Sequence, residues 1–254
     1  MSEKKLCYAL VYTGNNKKIL ARTILTYEKL KTVTRKNIFI ITDDAKNLSY
    51  FEKFISKDKL YVPSSLERFY FPDNNFDGHR YPNIFMKFAV YELAKFGYTH
   101  VLFIDSDIVI NKNGLSEHLS VLEREITELK EGYISAHKYY PHWPESLERK
   151  FIASCMGFNI KENIIQKLLD CNVPGKTEEW TLKVYEEKYG LVFELPEGLI
   201  TNESALKKFT VFYHTCGKLY YSVLKVTDPE GYERFKEIFE NIEEEKLEDD
   251  CSLI

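Results

Sequence analysis

The sequence predicts an α/β domain with a mostly parallel sheet flanked by helices, and two observations carry that prediction. Short apolar runs rich in β-formers alternate with segments whose apolar residues recur at helical spacing, the pattern of β-α-β units. The chain is also large enough for one sizeable core, with 254 residues, 44% of them hydrophobic and 15% aromatic. In order, Cys7 to Tyr12 ("CYALVY") and Asn37 to Thr42 ("NIFIIT") read as strands, joined by a helix that places Leu20, Ile24 and Tyr27 on one face. "KLYVP" reads as a third strand, and Asn83 to Phe96 as a helix with Ile84, Phe88, Tyr91 and Leu93 apolar. The run "VLFIDSDIVI", Val101 to Ile110, is a strand carrying two aspartates. The second half adds a helix near Ser116 to Glu131, strands "GYISAH" and "CMGFNI", helices near Lys161 to Leu169 and Thr177 to Tyr189, and strands near "LVFEL" and "FTVFYH". Residues 1–227 are expected to form one domain, and 228–254 a terminal helix from Asp228 to Leu247 with an acidic tail.

Composition excludes several classes. A net charge of -4 and a pI near 6.0 offer no basic field for nucleic acid. No run approaches the roughly 20 apolar residues of a membrane span, so a cytoplasmic protein is expected. Five cysteines, odd in number and without a CxxC, point to reduced structural thiols. The final "CSLI" resembles a prenylation box on Cys251, but the acidic run before it would be repelled by an anionic membrane, and no anchor is expected.

Charges are rarely buried unless paired or bound to metal, so Asp105 and Asp107 call for a partner. Residues two apart in an extended chain share a side, and the pair converges on one ligand if the strand continues past Asp105. Oxygen ligands suit Mg²⁺ or Mn²⁺, and ligands bind at the carboxyl ends of parallel strands, where Thr13, Asp43 and Asp105 fall. A rival chemistry uses the same residues: haloacid-dehalogenase-like phosphatases carry an Asp-x-Asp box whose first Asp is the nucleophile. That box normally lies on the first strand of its domain, whereas here three predicted strands precede it.

The order "RYPNIFMKFAVYEL", "VLFIDSD", "SCMGFNIKEN", "EEWTLK" and "VFYHTCGK" resembles the glycogenin-like retaining glycosyltransferases of family 8, which have the GT-A fold. The resemblance implies a GT-A-type nucleotide-binding sheet and transfer of a hexose, glucose first, from a UDP-sugar with retention. It implies Asp105, Asp107 and His214 as ligands of Mn²⁺ or Mg²⁺ on the donor diphosphate, with Ser106 between the aspartates. Val11, Thr13, Gly14 and Lys17 match the nucleotide-binding turn, Arg80 and Lys87 the donor-binding basic residues, and Gly217 and Lys218 the phosphate loop. In that loop Tyr220 stands where the family has lysine. Glu178 and Glu179 fall at the family's Asp-Gln, and Glu178 is the carboxylate expected beside the anomeric carbon. Cys155-Met156-Gly157 replaces Asn-Ser-Gly, removing two polar donors from the expected sugar pocket. The interval Leu195 to Phe209 holds no tyrosine, and Tyr185 and Tyr189 fall in a helix, so a separate glycan or protein acceptor is expected rather than self-glucosylation. A homodimer is compatible with the resemblance, as is a nucleotide-sugar-binding protein without activity.

Overall fold

The computed structural model describes residues 4–76, 79–80, 83–111, 115–138, 150–160, 162–195, 200–201, 212–215 and 219–242. Strand β1 (Leu6–Tyr12) lies between two parallel partners, β2 (Asn37–Thr42) and β6 (His100–Ile104). Tyr8, Leu10 and Tyr12 enter the core on one face of the sheet, Cys7 and Ala9 the core on the other. Burial on both faces is why these strands read as continuous apolar runs.

The sheet has seven strands in the order β10 (Val192–Glu194), β8 (Ile134–Lys138), β9 (Phe151–Asn159), β6, β1, β2 and β3 (Leu60–Tyr61). On one side β3 extends β2, and on the other lie β9, β8 and β10. Only β9 runs against its neighbours; the other pairings are parallel. The predicted mostly parallel sheet with helices on its faces is therefore the architecture found.

Helix α1 (Lys17–Val33) is started by Asn16, whose side chain accepts from the Lys18 and Ile19 amides at 2.9 and 3.2 Å. It buries Leu20, Ile24 and Tyr27, as the spacing requires. A short helix α2 (Ala45–Phe51) follows β2. The predicted helix before β6 is wound as a 3₁₀ helix over Ile84–Phe96 and ends at Gly97 with φ +83°. Its length is unusual for that winding. Helices α3 (Leu115–Glu128), α4 (Glu162–Leu169) and α5 (Glu178–Tyr189) cover the sheet. Two more, α6 (Tyr220–Thr227) and α7 (Pro229–Asn241), pack on α1, with Arg234 donating to Glu28 at 2.7 and 3.0 Å and Lys29 paired to Asp228 at 2.6 Å. No helix among the described residues is long and apolar enough to cross a membrane.

Beyond the main sheet, β7 (Ile108–Ile110) leaves to pair antiparallel with β12 (Phe212–His214), which also pairs with β11 (Ile200–Thr201). A two-stranded ribbon joins β4 (Asn75–Phe76) to β5 (His79–Arg80). Residues 243–254, including Cys251 and the acidic tail, lie outside the described residues.

Candidate active site

Parallel strands β1, β2 and β6 end at the same edge, and they deliver Thr13, Asp43 and Asp105 there. The strand does not continue past Asp105, contrary to the expectation from its apolar run. It stops at Ile104, residues 105–107 turn, and the Ile108 amide donates to the Asp105 carbonyl at 3.3 Å. The reason is the change of sheet: β6 pairs with β1 and β9, whereas β7 pairs with β12. The turn gives the two aspartates different partners.

Asp105 faces Lys87, which the 3₁₀ helix presents. The Lys87 ammonium lies 2.8 Å from Asp105 Oδ2 and 2.6 Å from Glu178 Oε1, and it also reaches the Ala153 carbonyl at 3.4 Å. Glu178 opens α5, where the helix dipole favours a carboxylate. Burial alone would lower the Lys87 pKa, but the two carboxylates outweigh it and hold the ammonium charged. Burial also raises both acids, against the pull of Lys87. Lys87 is thus the central cation between two reluctant carboxylates. Glu179 is buried beside Glu178 in the same turn.

Asp107 faces His214, whose Nε2 is 3.5 Å from Asp107 Oδ2. Burial pushes Asp107 up, but His214, with help from Lys87 and Arg22, brings it below the usual carboxylate range. His137 lies in β8, and burial, then the charge of His214, pushes it down to about 4. Two buried carboxylate oxygens here, Asp107 Oδ1 and Glu178 Oε2, have no hydrogen-bond partner. Buried polar groups are normally satisfied, and a water, a cation or a polar ligand would complete these two. Asp107 and His214 fit two positions of a divalent cation, one oxygen and one nitrogen donor on neighbouring atoms. Asp105 is turned toward Lys87, and among the described residues no three His, Cys, Asp or Glu side chains surround one point.

The turn after β1 forms a second polar group at this edge. Gly14, with φ +80°, donates its amide to both Asp43 oxygens at 3.2 Å, and Asn83 donates to Asp43 at 2.7 Å. Asn47 joins them by donating to the Gly14 carbonyl and the Thr42 hydroxyl, each at 3.1 Å. Burial raises the Asp43 pKa against these donors. Thr13 is half-buried beside this group, and Val11 packs into the core beneath it. Lys17 is buried with its ammonium 4.5 Å from the Phe239 ring, directed to α7. The Ser106 carbonyl accepts from the Thr26 hydroxyl at 3.4 Å, tying the aspartate turn to α1. Arg80 lies in β5, and its side chain is outside the described residues, as are Gly217 and Lys218.

The sugar-pocket expectation for Cys155-Met156-Gly157 needs correction. Cys155 and Met156 are fully buried core residues paired with Ile104 and Phe103. At Gly157 a Cβ would fall 2.0 Å from Ile126 Cδ1 and 2.4 Å from Ser135 Oγ, so this glycine is set by packing. Strand β9 meets the site through its main chain at Ser154, whose carbonyl accepts from the Asp105 amide at 2.8 Å, while burial and then the Asp105 charge push the neighbouring Cys155 thiol up. Ser154, Asn83 and His137 were not singled out by sequence. Only His137 carried a signal, a polar residue closing an apolar strand.

The fold is the GT-A fold. By sequence, neither a family model nor a curated protein matches the chain. Solved structures that share the fold include the galactosyltransferase LgtC, described in complex with donor and acceptor sugar analogs, with a TM-score of 0.59 and 12% identity over 93% of this chain and 96% of that one. Another is the bifunctional glycosyltransferase WbbM, with a TM-score of 0.57 and 15% identity over 94% of this chain but 50% of that one. A third is the glycosyltransferase GlyE of Streptococcus pneumoniae, with a TM-score of 0.51 and 15% identity over 98% of this chain and 66% of that one. The chain therefore spans half of WbbM.

Proposed function

We propose that this chain transfers a sugar from a nucleotide sugar, as a family 8, glycogenin-like enzyme that moves a hexose, glucose by preference, from a UDP-sugar with retention. The observation that supports this best is the set of buried charged groups, Lys87 with Asp105 and Glu178 and Asp107 with His214, at the carboxyl ends of parallel strands. The shared fold with LgtC, WbbM and GlyE points the same way, and retention rests on the sequence resemblance.

In this reading Asp107 and His214, completed by Asp105, hold Mn²⁺ or Mg²⁺. The cation, when bound, supplies positive charge against the departing nucleotide diphosphate. Glu178 stands as the carboxylate beside the anomeric centre, and Lys87 keeps it ionised and positioned beside Asp105. The Asp43 group receives the nucleoside end. The acceptor is a separate glycan or protein. Tyr185 supports this, because it is fully buried and its hydroxyl donates to the Gly132 carbonyl at 2.8 Å.

A thermal-shift screen of nucleotide sugars with and without Mn²⁺ tests the reading, since a ligand bound only by the native state raises its melting temperature. Mn²⁺-dependent stabilisation by a UDP-sugar is expected. Stabilisation by phosphate esters and by no UDP-sugar would instead favour the phosphatase. Incubation with UDP-glucose and Mn²⁺, followed by mass measurement of tryptic peptides, tests the acceptor. A hexose ladder on a tyrosine peptide would overturn that part.

A further inference from the structure

The reading above places a nucleoside diphosphate beside Asp105, Asp107 and Glu178, and a diphosphate there adds negative charge to carboxylates already held in partial burial. Three cations act on Asp107: His214, which stands on it, Lys87, which is bound to Asp105 and Glu178, and Arg22. Tyr220, at the head of α6, contributes no charge. Yet this ring, together with Tyr221, carries a guanidinium. The Arg22 Cζ lies 4.8 Å from the Tyr220 ring centroid and 4.7 Å from that of Tyr221.

The helix geometry says where Arg22 is aimed. Thr26, whose hydroxyl donates to the Ser106 carbonyl, touches the turn between the two aspartates. Arg22 precedes Thr26 by one helical turn, so the two share a face of α1. Because α1 starts directly after β1, moving back from Thr26 to Arg22 moves toward the edge where the strands end and ligands bind. Thr26, Ile108 and Tyr220 line one cleft, which brings the Tyr220 ring beside the start of β7. Arg22 is half-buried, open enough to meet a ligand and enclosed enough to be held in place.

We propose that Arg22 binds the donor diphosphate, as a phosphate-binding cation that α1 supplies and two tyrosine rings hold in position. A guanidinium suits the task, since its fork of N–H donors matches phosphate oxygens and its flat face stacks on aromatic rings. Stacking removes rotamer freedom before the ligand arrives, which lowers the entropic cost of binding. The inference rests on the nucleotide-sugar reading, but it concerns a residue outside the Asp-x-Asp, histidine and glycine segments.

The test compares UDP with uridine, binding measured by calorimetry in Mn²⁺, on the wild-type chain and on the variants R22Q and R22K. For R22Q the UDP dissociation constant is expected to rise about ten- to a hundredfold, as for loss of a charge-assisted hydrogen bond, while uridine binding changes by less than about twofold. R22K keeps the charge without the stacked plane and should fall between. The salt dependence of UDP binding should weaken in R22Q and persist in R22K, which a purely structural role would not produce. Unchanged UDP binding in R22Q overturns the role of Arg22 and leaves the nucleotide-sugar reading standing. Equal losses for UDP and uridine mark a folding effect and also overturn it. A wild-type chain that binds neither UDP nor a UDP-sugar overturns both.

Discussion

Lys87→Met offers a direct test of the central ion cluster. Methionine keeps most of the apolar stem and removes the charge that lies 2.8 Å from Asp105 and 2.6 Å from Glu178. The Glu178 side chain is 4% exposed and that of Lys87 17%, so solvent replaces little of what is lost. Stranding one side of a buried pair costs roughly 3–5 kcal/mol. For a chain of this size that corresponds to a melting temperature lower by roughly 6–20 °C. The loss should shrink on acidification. Both acids have raised native pKa values, so the cost of holding them ionised is present above those values and disappears as pH falls through them. Adding Glu178→Gln should recover part of the loss, with a coupling of about 1–3 kcal/mol in the double-mutant cycle. Melts by circular dichroism of wild type, both single variants and the double variant at neutral pH, repeated at lower pH, measure all of this. A Lys87→Met melt within about 2 °C of wild type, or additive losses, would refute the argument that Lys87 holds the two carboxylates.

His137→Asn tests the buried imidazole of β8. Its pKa falls from the usual histidine range to about 4, so the stability it contributes is whole above the unfolded value and is lost as pH drops toward 4, by up to about 3 kcal/mol. The wild-type melting temperature should therefore fall more steeply than the variant's between these limits, and parallel curves would contradict the assignment. Gly157→Ala forces a methyl group onto Ile126 and Ser135 and should cost about 1–3 kcal/mol, read as a lower urea midpoint at unchanged m-value. Asp107→Asn keeps the side-chain shape and should abolish Mn²⁺-dependent stabilisation by UDP-sugars while the chain stays folded; a retained Mn²⁺ effect would remove Asp107 from the metal site.

Much of the scaffold was legible because its signals are local. The strands at Cys7 to Tyr12 and Asn37 to Thr42 were placed almost residue by residue, since both are short β-rich runs between helical segments. Helix α1 followed from the apolar spacing of Leu20, Ile24 and Tyr27, and α5 was placed to within a residue. The seven-residue α2 was not found, having too few turns to establish a period, and neither was α6. At the site, the placement of Asp105 and Asp43 at strand ends was readable. The expected convergence of the two aspartates was not found, because a turn and a change of sheet cannot be told from continued strand when apolar residues flank the pair on both sides.

By itself, then, the sequence determined an alternating α/β chain with a carboxylate pair framed by apolar strand, because hydrophobic period and helix starts are written within a few neighbouring residues. Tertiary structure alone decided that Lys87 bridges Asp105 and Glu178, that Asp107 answers to His214, and that the main chain of β9 meets the site at Ser154. These contacts depend on which strands pair, where β6 gives way to β7, and how α1 and the 3₁₀ helix pack on opposite faces of the sheet. Burial then sets the charges, for the same carboxylates in water would need neither lysine nor metal.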